Sequence, residues 1–526
     1  MKSIFKEIQG RKPASNTFDL SHDRKMSFNM GKLYPIGTFE TVPGDTFTIS
    51  SSALIRFAPL VSPIMHSVNV YQHWFFVPNR LTWKEWKDFI TGGETGDKEP
   101  AFPIVTINTQ DTDIGSIADY MGIPVETTNS RDIEVSAIPF AAMALCWEQY
   151  YRDQNLFPEG SYAEIQLQNG EQTTDFKTAY VLGSTPPRAW EHDYFTSALP
   201  WTQKGAEATI PLGTSAPLQF NPGQIIGDRA YRLDGVTQPG TGDLQLQGGT
   251  GGFRAVNDAA GNPINLDVST GHTVDLSSAT AAGIIDLRRA FKLQEWLERN
   301  ARGGSRYIEV ILAHFGVRSS DARLQRPEFL GGFTSPVEFT EVLQTSSAAS
   351  QPTPQGNMAG HGLSVGTNKP ITYFCEEHGY IVGLISVMPK TAYFQGVPKH
   401  FIKFDKFDYY WPSFAHIGEQ AIYNKEIYMG TTDEWNEEVF GYTPRYVEYK
   451  NINSSVHGLF RTQLESWHLA RKFGSEPALN NVFISCEPDN ARIFPQWDDD
   501  SQGLYGHIYN NVRANRRMPY FGSPKM

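Results

Sequence analysis

Residues 46–57 read Thr-Phe-Thr-Ile-Ser-Ser-Ser-Ala-Leu-Ile-Arg-Phe. Phe47, Ile49, Ala53, Ile55 and Phe57 share one parity, interrupted by Ser51. Thr46, Thr48, Ser50, Ser52 and Arg56 share the other, with Leu54 the exception. Successive side chains of a strand point to opposite faces, so this period of two predicts a half-buried β-strand. Pro43-Gly44-Asp45 just ahead of it is a turn signal. Val68 to Val77, rich in β-branched and aromatic residues and closed by Pro78, predicts a second strand. Tyr307–Phe315 and Tyr380–Met388 are apolar runs rich in Ile and Val. Both predict strands buried on two faces, the second ended by Pro389. Shorter strands are expected at Phe404–Trp411 and Val482–Cys486.

Helical spacing is scarcer. Trp83, Trp86 and Ile90 predict a helix ended by Gly92-Gly93, and Leu145, Trp147 and Tyr151 predict another within residues 139–157. Ile284, Leu287, Phe291, Leu293 and Leu297 form a third pattern, closed by Gly303-Gly304. Residues 1–40 look irregular, and residues 343–370, rich in Ser, Thr, Pro and Gly, predict a long loop. Residues 202–282 hold 13 of the 46 Gly, no Trp, and only Phe220, Tyr231 and Phe253 as rings, so they cannot make the main core. They read as a loop-rich insertion in a ring-rich body, with a flexible linker between two domains as the other reading. No regular repeat is visible, which argues against a propeller or solenoid. Short strands on long irregular connections predict an all-β fold, a jelly-roll sandwich with loop insertions and a few short helices.

A chain of 526 residues would ordinarily make three or four domains, although a large sandwich with insertions runs as one unit. Charged residues are 19% and aromatic residues 13%. Few charges and many rings suit a protein that buries its surface against other chains, and a large β-rich monomer is the alternative. The net charge of −12 is unevenly placed. Residues 1–32 carry seven basic side chains against three acids, and residues 501–526 carry four with no acid, so an acidic body lies between two basic ends. Cationic ends can lie along nucleic-acid phosphates. In the last segment Tyr505, His507, Tyr509, Tyr520 and Phe521 interleave with the charges, which suits stacking on unpaired bases. Polar, exposed termini with no partner are the plainer reading. Cys146, Cys375 and Cys486 are far apart and odd in number, so no disulfide framework is expected. The amino terminus has no signal-peptide apolar run, and no stretch reaches the roughly 18 apolar residues of a membrane span.

Catalytic signals are weak. Gly248-Gly249-Thr250-Gly251-Gly252 lacks the Lys-Ser/Thr ending and the strand–helix frame of a phosphate loop. Cys375-Glu376-Glu377-His378 has metal-capable side chains but no partner cluster, and Asp498-Asp499-Asp500 reads as a solvated turn before a cation site. Glu191-His192-Asp193 places its acid and base side by side, where they seldom converge on one substrate atom. No enzyme, metal or cofactor is expected.

Longer strings are more specific. Asp193-Tyr194-Phe195-Thr196-Ser197-Ala198-Leu199-Pro200-Trp201 and Gln355-Gly356-Asn357-Met358-Ala359-Gly360-His361-Gly362 resemble signatures of the major capsid protein of gokushovirus-type microviruses, small icosahedral bacteriophages. The run from Trp296 through Arg302-Gly303-Gly304 to His314-Phe315-Gly316-Val317 is similar to the same family. So are Phe440-Gly441-Tyr442-Thr443-Pro444-Arg445-Tyr446 and the ending Met518-Pro519-Tyr520-Phe521-Gly522. The strings keep the family's order over nearly the whole chain, and residues 202–282, where the family carries a variable insertion, match least.

The resemblance implies an eight-stranded viral jelly roll, assembled as a T=1 icosahedral shell of identical subunits around circular single-stranded DNA. It places the chain in the virion, and in the bacterial host cytoplasm during assembly. On this reading residues 1–40 are an interior basic arm. Residues 41–201 and 283–500 form the body, 202–282 a protrusion at the three-fold axis contacting a bacterial surface receptor, and 501–526 an interior basic tail. Arg11, Lys12, Arg24, Lys25, Arg513, Arg516, Arg517 and Lys525 are expected to face DNA, with a small basic packaging protein and a pilot protein as further partners. Trp74, Trp411 and Tyr446 are expected to anchor either core or interface. The competing classes are a secreted β-sandwich lectin or glycan-active enzyme, which needs a paired carboxylate site, and a phage spike protein.

Overall fold

The computed structural model describes residues 14–125, 130–157, 164–206, 208, 218–219, 256–257, 263–264, 273–274, 284–304, 306–346, 355–498 and 501–521. The chain divides into two compact units, Met1–Lys204 with Arg299–Met526, and Gly205–Glu298. In the smaller unit Leu218–Gln219 pairs with Thr273–Val274, and Val256–Asn257 with Pro263–Ile264. Gly248–Gly252 and most of residues 202–282 lie outside the described residues.

The larger unit is built on antiparallel strands. In chain order they are β1 (Asn16–Asp19), β2 (His22–Phe28), β3 (Tyr34–Thr41), β4 (Thr46–Phe57), β5 (Val68–Pro78), β6 (Glu328–Pro336), β7 (Glu338–Leu343), β8 (Met358–Thr367), β9 (Ile371–Phe374), β10 (Gly379–Pro389) and β11 (Leu504–Arg516). The helices that bear on the argument are α1 (Ile138–Tyr150), α2 (Ile284–Gly303) and α3 (Tyr307–Phe315). In one sheet β11 lies between β4 and the pair β1 and β2, which sit end to end along its other edge. The far edge of β4 takes β8 and β9, again end to end, and β8 takes β7. The second sheet runs β6–β5–β10–β3.

Alternation explains the packing. Phe47, Ile49, Ala53, Ile55 and Phe57 of β4 point inward with Ile508 and Val512 of β11. They meet Ile36, Val70, Trp74, Phe76, Ile381 and Ile385 of the second sheet. Ser51, the polar interruption, is also buried, and its hydroxyl donates to Asn510 Oδ1 at 2.9 Å while Asn510 Nδ2 donates to the Ile36 carbonyl at 2.7 Å. A buried polar pair with its bonds made costs little. The second sheet is covered on its other face too. Phe75 and Val77 of β5 and Val382 and Leu384 of β10 pack with Phe140, Ala141 and Trp147 of α1. Burial on both sides is why β10 and the second half of β5, Trp74–Pro78, read as nearly continuous apolar runs. The three cysteines are free and buried, and burial pushes the Cys375 thiol up to about 12.

The helices end where glycine permits the left-handed turn: Gly92, Gly304 and Gly316 have φ of 75°, 97° and 68°. That last glycine closes a helix, not a strand. Tyr307–Phe315 is helical, because an apolar β-branched run fits either period and the local bonds decide. Arg306 N–H donates to Glu309 Oε2 at 3.0 Å, satisfying an orphan donor of the first turn. Phe404–Trp411 holds a 3₁₀ turn at Lys406–Asp408 onto which Trp411 Nε1–H donates (Lys406 O, 2.8 Å), and Val482–Cys486 holds a helical turn at Asn481–Ile484 capped by Asn480. Neither is a strand. The expected loop 343–370 contains β8, whose glycines disguise it: a Cβ on Gly366 would lie 2.5 Å from the Phe333 ring, so small residues there mark close approach. Residues 16–41 form β1, β2 and β3, so the described part of the amino-terminal arm is sheet.

His73 on β5 adds a pH dependence. Its Nδ1 lies 2.6 Å from the Tyr151 hydroxyl, and burial, then the Arg188 guanidinium, hold its imidazole down to about 4. An unfolded chain titrates this group near 6.5. The folded state therefore binds fewer protons between those values, so stability is whole above pH 6.5 and is lost as pH falls towards 4. The loss from His73 is at most about 3 kcal/mol. Thermal melting from pH 7 to pH 4 is expected to show this fall, and His73→Gln to flatten it.

Candidate nucleic-acid interface

The face of the first sheet turned away from the core is the candidate site. Strand β11 alternates strictly between buried and exposed residues from Leu504 to Asn515. Leu504, Gly506, Ile508, Asn510, Val512 and Ala514 point into the sandwich, so Tyr505, His507, Tyr509, Asn511, Arg513 and Asn515 form a solvent-facing row. Neighbours in such a row stand about 7 Å apart. Register brings cations beside the rings. Tyr505 is opposite Arg56, and His507 lies between Leu54 and Lys25. Tyr509 lies between Ser52 and Asp23, and Arg513 between Thr48 and Asp19. Lys25, Arg56 and Arg513 are exposed. The carboxylates on the face are tied: His507 Nε2 is 3.2 Å from Asp23 Oδ1, and two hydrogen bonds from Ser21 hold the Asp19 carboxyl below its usual range. Half-exposed rings interleaved with cations can stack bases and neutralise phosphates without reading sequence.

The expected DNA-facing residues separate into three groups. Lys25, Arg513 and Arg517 are exposed, Arg517 lying against the Gly44 turn. Arg24 and Arg516 are built into the fold instead. Arg24 has the parity opposite to Lys25, its guanidinium donates to the carbonyls of Pro35 (3.0 Å) and Tyr120 (3.2 Å), and burial lowers its pKa. Arg516 pairs at 3.2 Å with Asp45, which is buried, donates to the Glu40 carbonyl and covers the Phe47 ring. Arg11, Lys12 and Lys525 lie outside the described residues. The sequence reading missed Arg56, whose signal was its outward parity on β4. It also treated residues 501–526 as a tail, whereas Leu504–Arg516 lies inside the sheet. Gly506, Asn510 and Ala514 at the buried positions hide the alternation that Ile508 and Val512 begin.

The weak catalytic candidates have structural duties. Asp193 accepts from the backbone N–H groups of Phe195 and Thr196, and Glu191 accepts from the Tyr71 hydroxyl. Glu377 pairs with Arg80 at 2.6 Å. Asp498 accepts from Ser501, and Asp499 and Asp500 lie outside the described residues. Among the described residues no group of three or more His, Cys, Asp or Glu is placed to hold a metal, and no helix is long and apolar enough to cross a membrane.

A family model described as capsid protein (F protein) matches residues 6–526. The chain belongs to this capsid protein family. Capsid protein VP1 of Bdellovibrio phage phiMH2K is 36% identical, with 99% of this chain and 97% of the relative covered. Capsid protein VP1 of Chlamydia phage 1 is 34% identical over 100% and 98%. That of Spiroplasma virus 4 is 32% identical over 99% and 97%. The gokushovirus-type resemblance therefore holds along the full length. This capsid protein is a structural component of the virion, one subunit of a multi-subunit shell, and not an enzyme.

Proposed function

We propose that copies of this capsid protein close into a T=1 icosahedral shell around circular single-stranded DNA, with the ring-and-cation face of the first sheet directed at the packaged strand. The observation that carries the reading is the outward row of β11, where Tyr505, His507, Tyr509 and Arg513 stand beside Lys25 and Arg56. Lys25, Arg56, Arg513 and Arg517, joined by Arg11, Lys12 and Lys525 of the two ends, supply the cations. The strand order supports an eight-stranded jelly roll: β2–β11–β4–β8 and β3–β10–β5–β6 are its two four-stranded sheets, with β1, β7 and β9 as additions. β5 and β6 are hydrogen-bonded neighbours although residues 79–327 separate them, so that connection can lengthen without disturbing the ladder. Residues 202–282 fall within it and serve as the exterior protrusion for a bacterial receptor. A small basic packaging protein and a pilot protein complete the particle.

The test replaces Lys25, Arg56 and Arg513 together by Gln. All three are exposed, so shells should still form. DNA per particle, read from the ratio of absorbance at 260 and 280 nm, is expected to fall. The salt dependence of single-stranded DNA binding, plotted log against log, should lose about 2 from its slope, because each phosphate contact contributes about 0.7. Full DNA content with an unaltered slope removes the sheet face from the mechanism. Particles lacking residues 202–282 should assemble but fail to attach to host cells, and normal attachment would take that segment out of host contact.

A further inference from the structure

We propose that the capsid protein binds a phosphate group in a cavity away from the sheet face, held by Lys390, His66 and His457 with the hydroxyls of Ser67 and Ser454. The cavity encloses about 340 Å³, and among the described residues no carboxylate lines it. That composition is unusual in a chain with more acids than bases. Lys390 is exposed and makes no ion pair among the described residues, so its ammonium is available to a ligand. Local bonds pre-orient the histidines. His66 Nε2 lies 2.6 Å from the Lys390 carbonyl, and a carbonyl can only accept, so this nitrogen carries the proton and Nδ1 is left uncommitted. His457 Nε2 is engaged by the Ser455 hydroxyl at 2.8 Å, which leaves its Nδ1 uncommitted as well. His468 is part of the wall and not a ligand. Its Nδ1 accepts from Ala470 N–H at 3.1 Å and its Nε2 donates to the Phe460 carbonyl at 2.7 Å, so both nitrogens are spent. Met65 and Phe460 give one side an apolar surface, so the space is larger than a bare anion needs and admits the organic part of a phosphate monoester.

The charges around His66 favour an anion. The Arg492 guanidinium, which donates to the Ala470 carbonyl, acts on it, and Lys390 and His457 share the cavity. Asp489 and Glu465 both act on Arg492, and Glu465 is held by Lys472 at 2.8 Å. Burial, opposed by the hydrogen bond to the Lys390 carbonyl and aided by the Arg492 guanidinium, keeps His66 below its ordinary pKa. A bound anion works in the opposite direction, so binding takes up a proton and tightens as pH falls. This inference is independent of the DNA-facing sheet.

Calorimetry on the full-length protein tests it with inorganic phosphate, 5′-dAMP, a single-stranded oligonucleotide without terminal phosphate, and sulfate, whose charge is constant between pH 6 and 8. Lys390→Gln, at an exposed position, should leave thermal melting unchanged and weaken binding about tenfold or more, the effect of losing one charge-assisted hydrogen bond. His66→Asn should reduce the tightening of sulfate between pH 8 and pH 6, and His66→Asn with His457→Asn should remove it. Binding of phosphate and dAMP but not the oligonucleotide supports the pocket with a free phosphate as its ligand. Binding of the oligonucleotide that Lys390→Gln weakens supports it with backbone phosphate as the source. Absence of binding by all four probes at pH 6, or affinities untouched by Lys390→Gln, overturns it.

Discussion

Trp74→Ala is expected to cost about 3–5 kcal/mol and to abolish particle yield at the temperature where the wild-type chain assembles. Trp74 is fully buried on the inward face of β5, stacked on Phe39 with ring centroids 5.7 Å apart. It is opposite Gly383 on one side and Gly331 on the other. Its indole lies where Gly383 and Gly37 have no side chain: a Cβ on Gly383 would come 2.5 Å from the ring, and one on Gly37 3.0 Å. Removing it opens a space between the sheets that no glycine neighbour can fill. Among the described residues its Nε1 has no hydrogen-bond partner, so little polar energy is lost with the ring and Trp74→Phe should recover much of the stability. Chemical denaturation of the unassembled protein measures both. A loss under 1 kcal/mol for the alanine variant would mean that the two sheets are not held together here.

The second large effect is expected from Lys399→Met. Lys399 Nζ pairs with Glu426 at 2.8 Å, and the Glu426 side chain is 1% exposed. The same carboxylate accepts from the Tyr194 hydroxyl at 2.7 Å and from Tyr423 N–H at 3.0 Å, and burial with Glu426 pushes the Tyr194 hydroxyl up. Removing the cation leaves a buried charge without a counter-ion, which typically costs about 3–5 kcal/mol. The pair itself adds much less than that, because both charges were desolvated to make it. Lys399→Met combined with Glu426→Gln should therefore recover much of the loss, since the charge is gone, the amide oxygen can still accept from Tyr423 N–H, and the amide nitrogen can donate to the Tyr194 hydroxyl oxygen. Denaturation of the two single variants and the double variant gives the coupling directly. A double variant as unstable as Lys399→Met alone would show that packing, not the uncompensated charge, carries the effect.

Both effects depend on contacts between residues far apart in the chain, and that is also where sequence reading stopped. The strands Thr46–Phe57, Val68–Pro78 and Gly379–Pro389 were legible because a period of two, or an unbroken apolar run ended by proline, has one cheap solution. The helix Ile284–Gly303 was legible from its spacing and its closing glycines. The run Tyr307–Phe315 was not, because its Ile and Val residues satisfy a buried strand as well as a helix. Strand β8 was hidden by glycines kept small for their neighbours, and β11 by the glycine, asparagine and alanine at its buried positions. The arginines show the same limit. Arg24 and Lys25 are adjacent and equally basic in sequence, yet strand parity sends one to the carbonyls of Pro35 and Tyr120 and the other to solvent.

Local period, turn residues and the long motif strings by themselves determined the sheet-rich class, the capsid family and the uneven placement of charge, because each is a property of short stretches of chain. Only the tertiary structure decided which cations remain free, which rings share a face with them, and that a basic carboxyl-terminal segment is a central strand. Those outcomes depend on register and on a second sheet covering the first, and neither is encoded within any one segment.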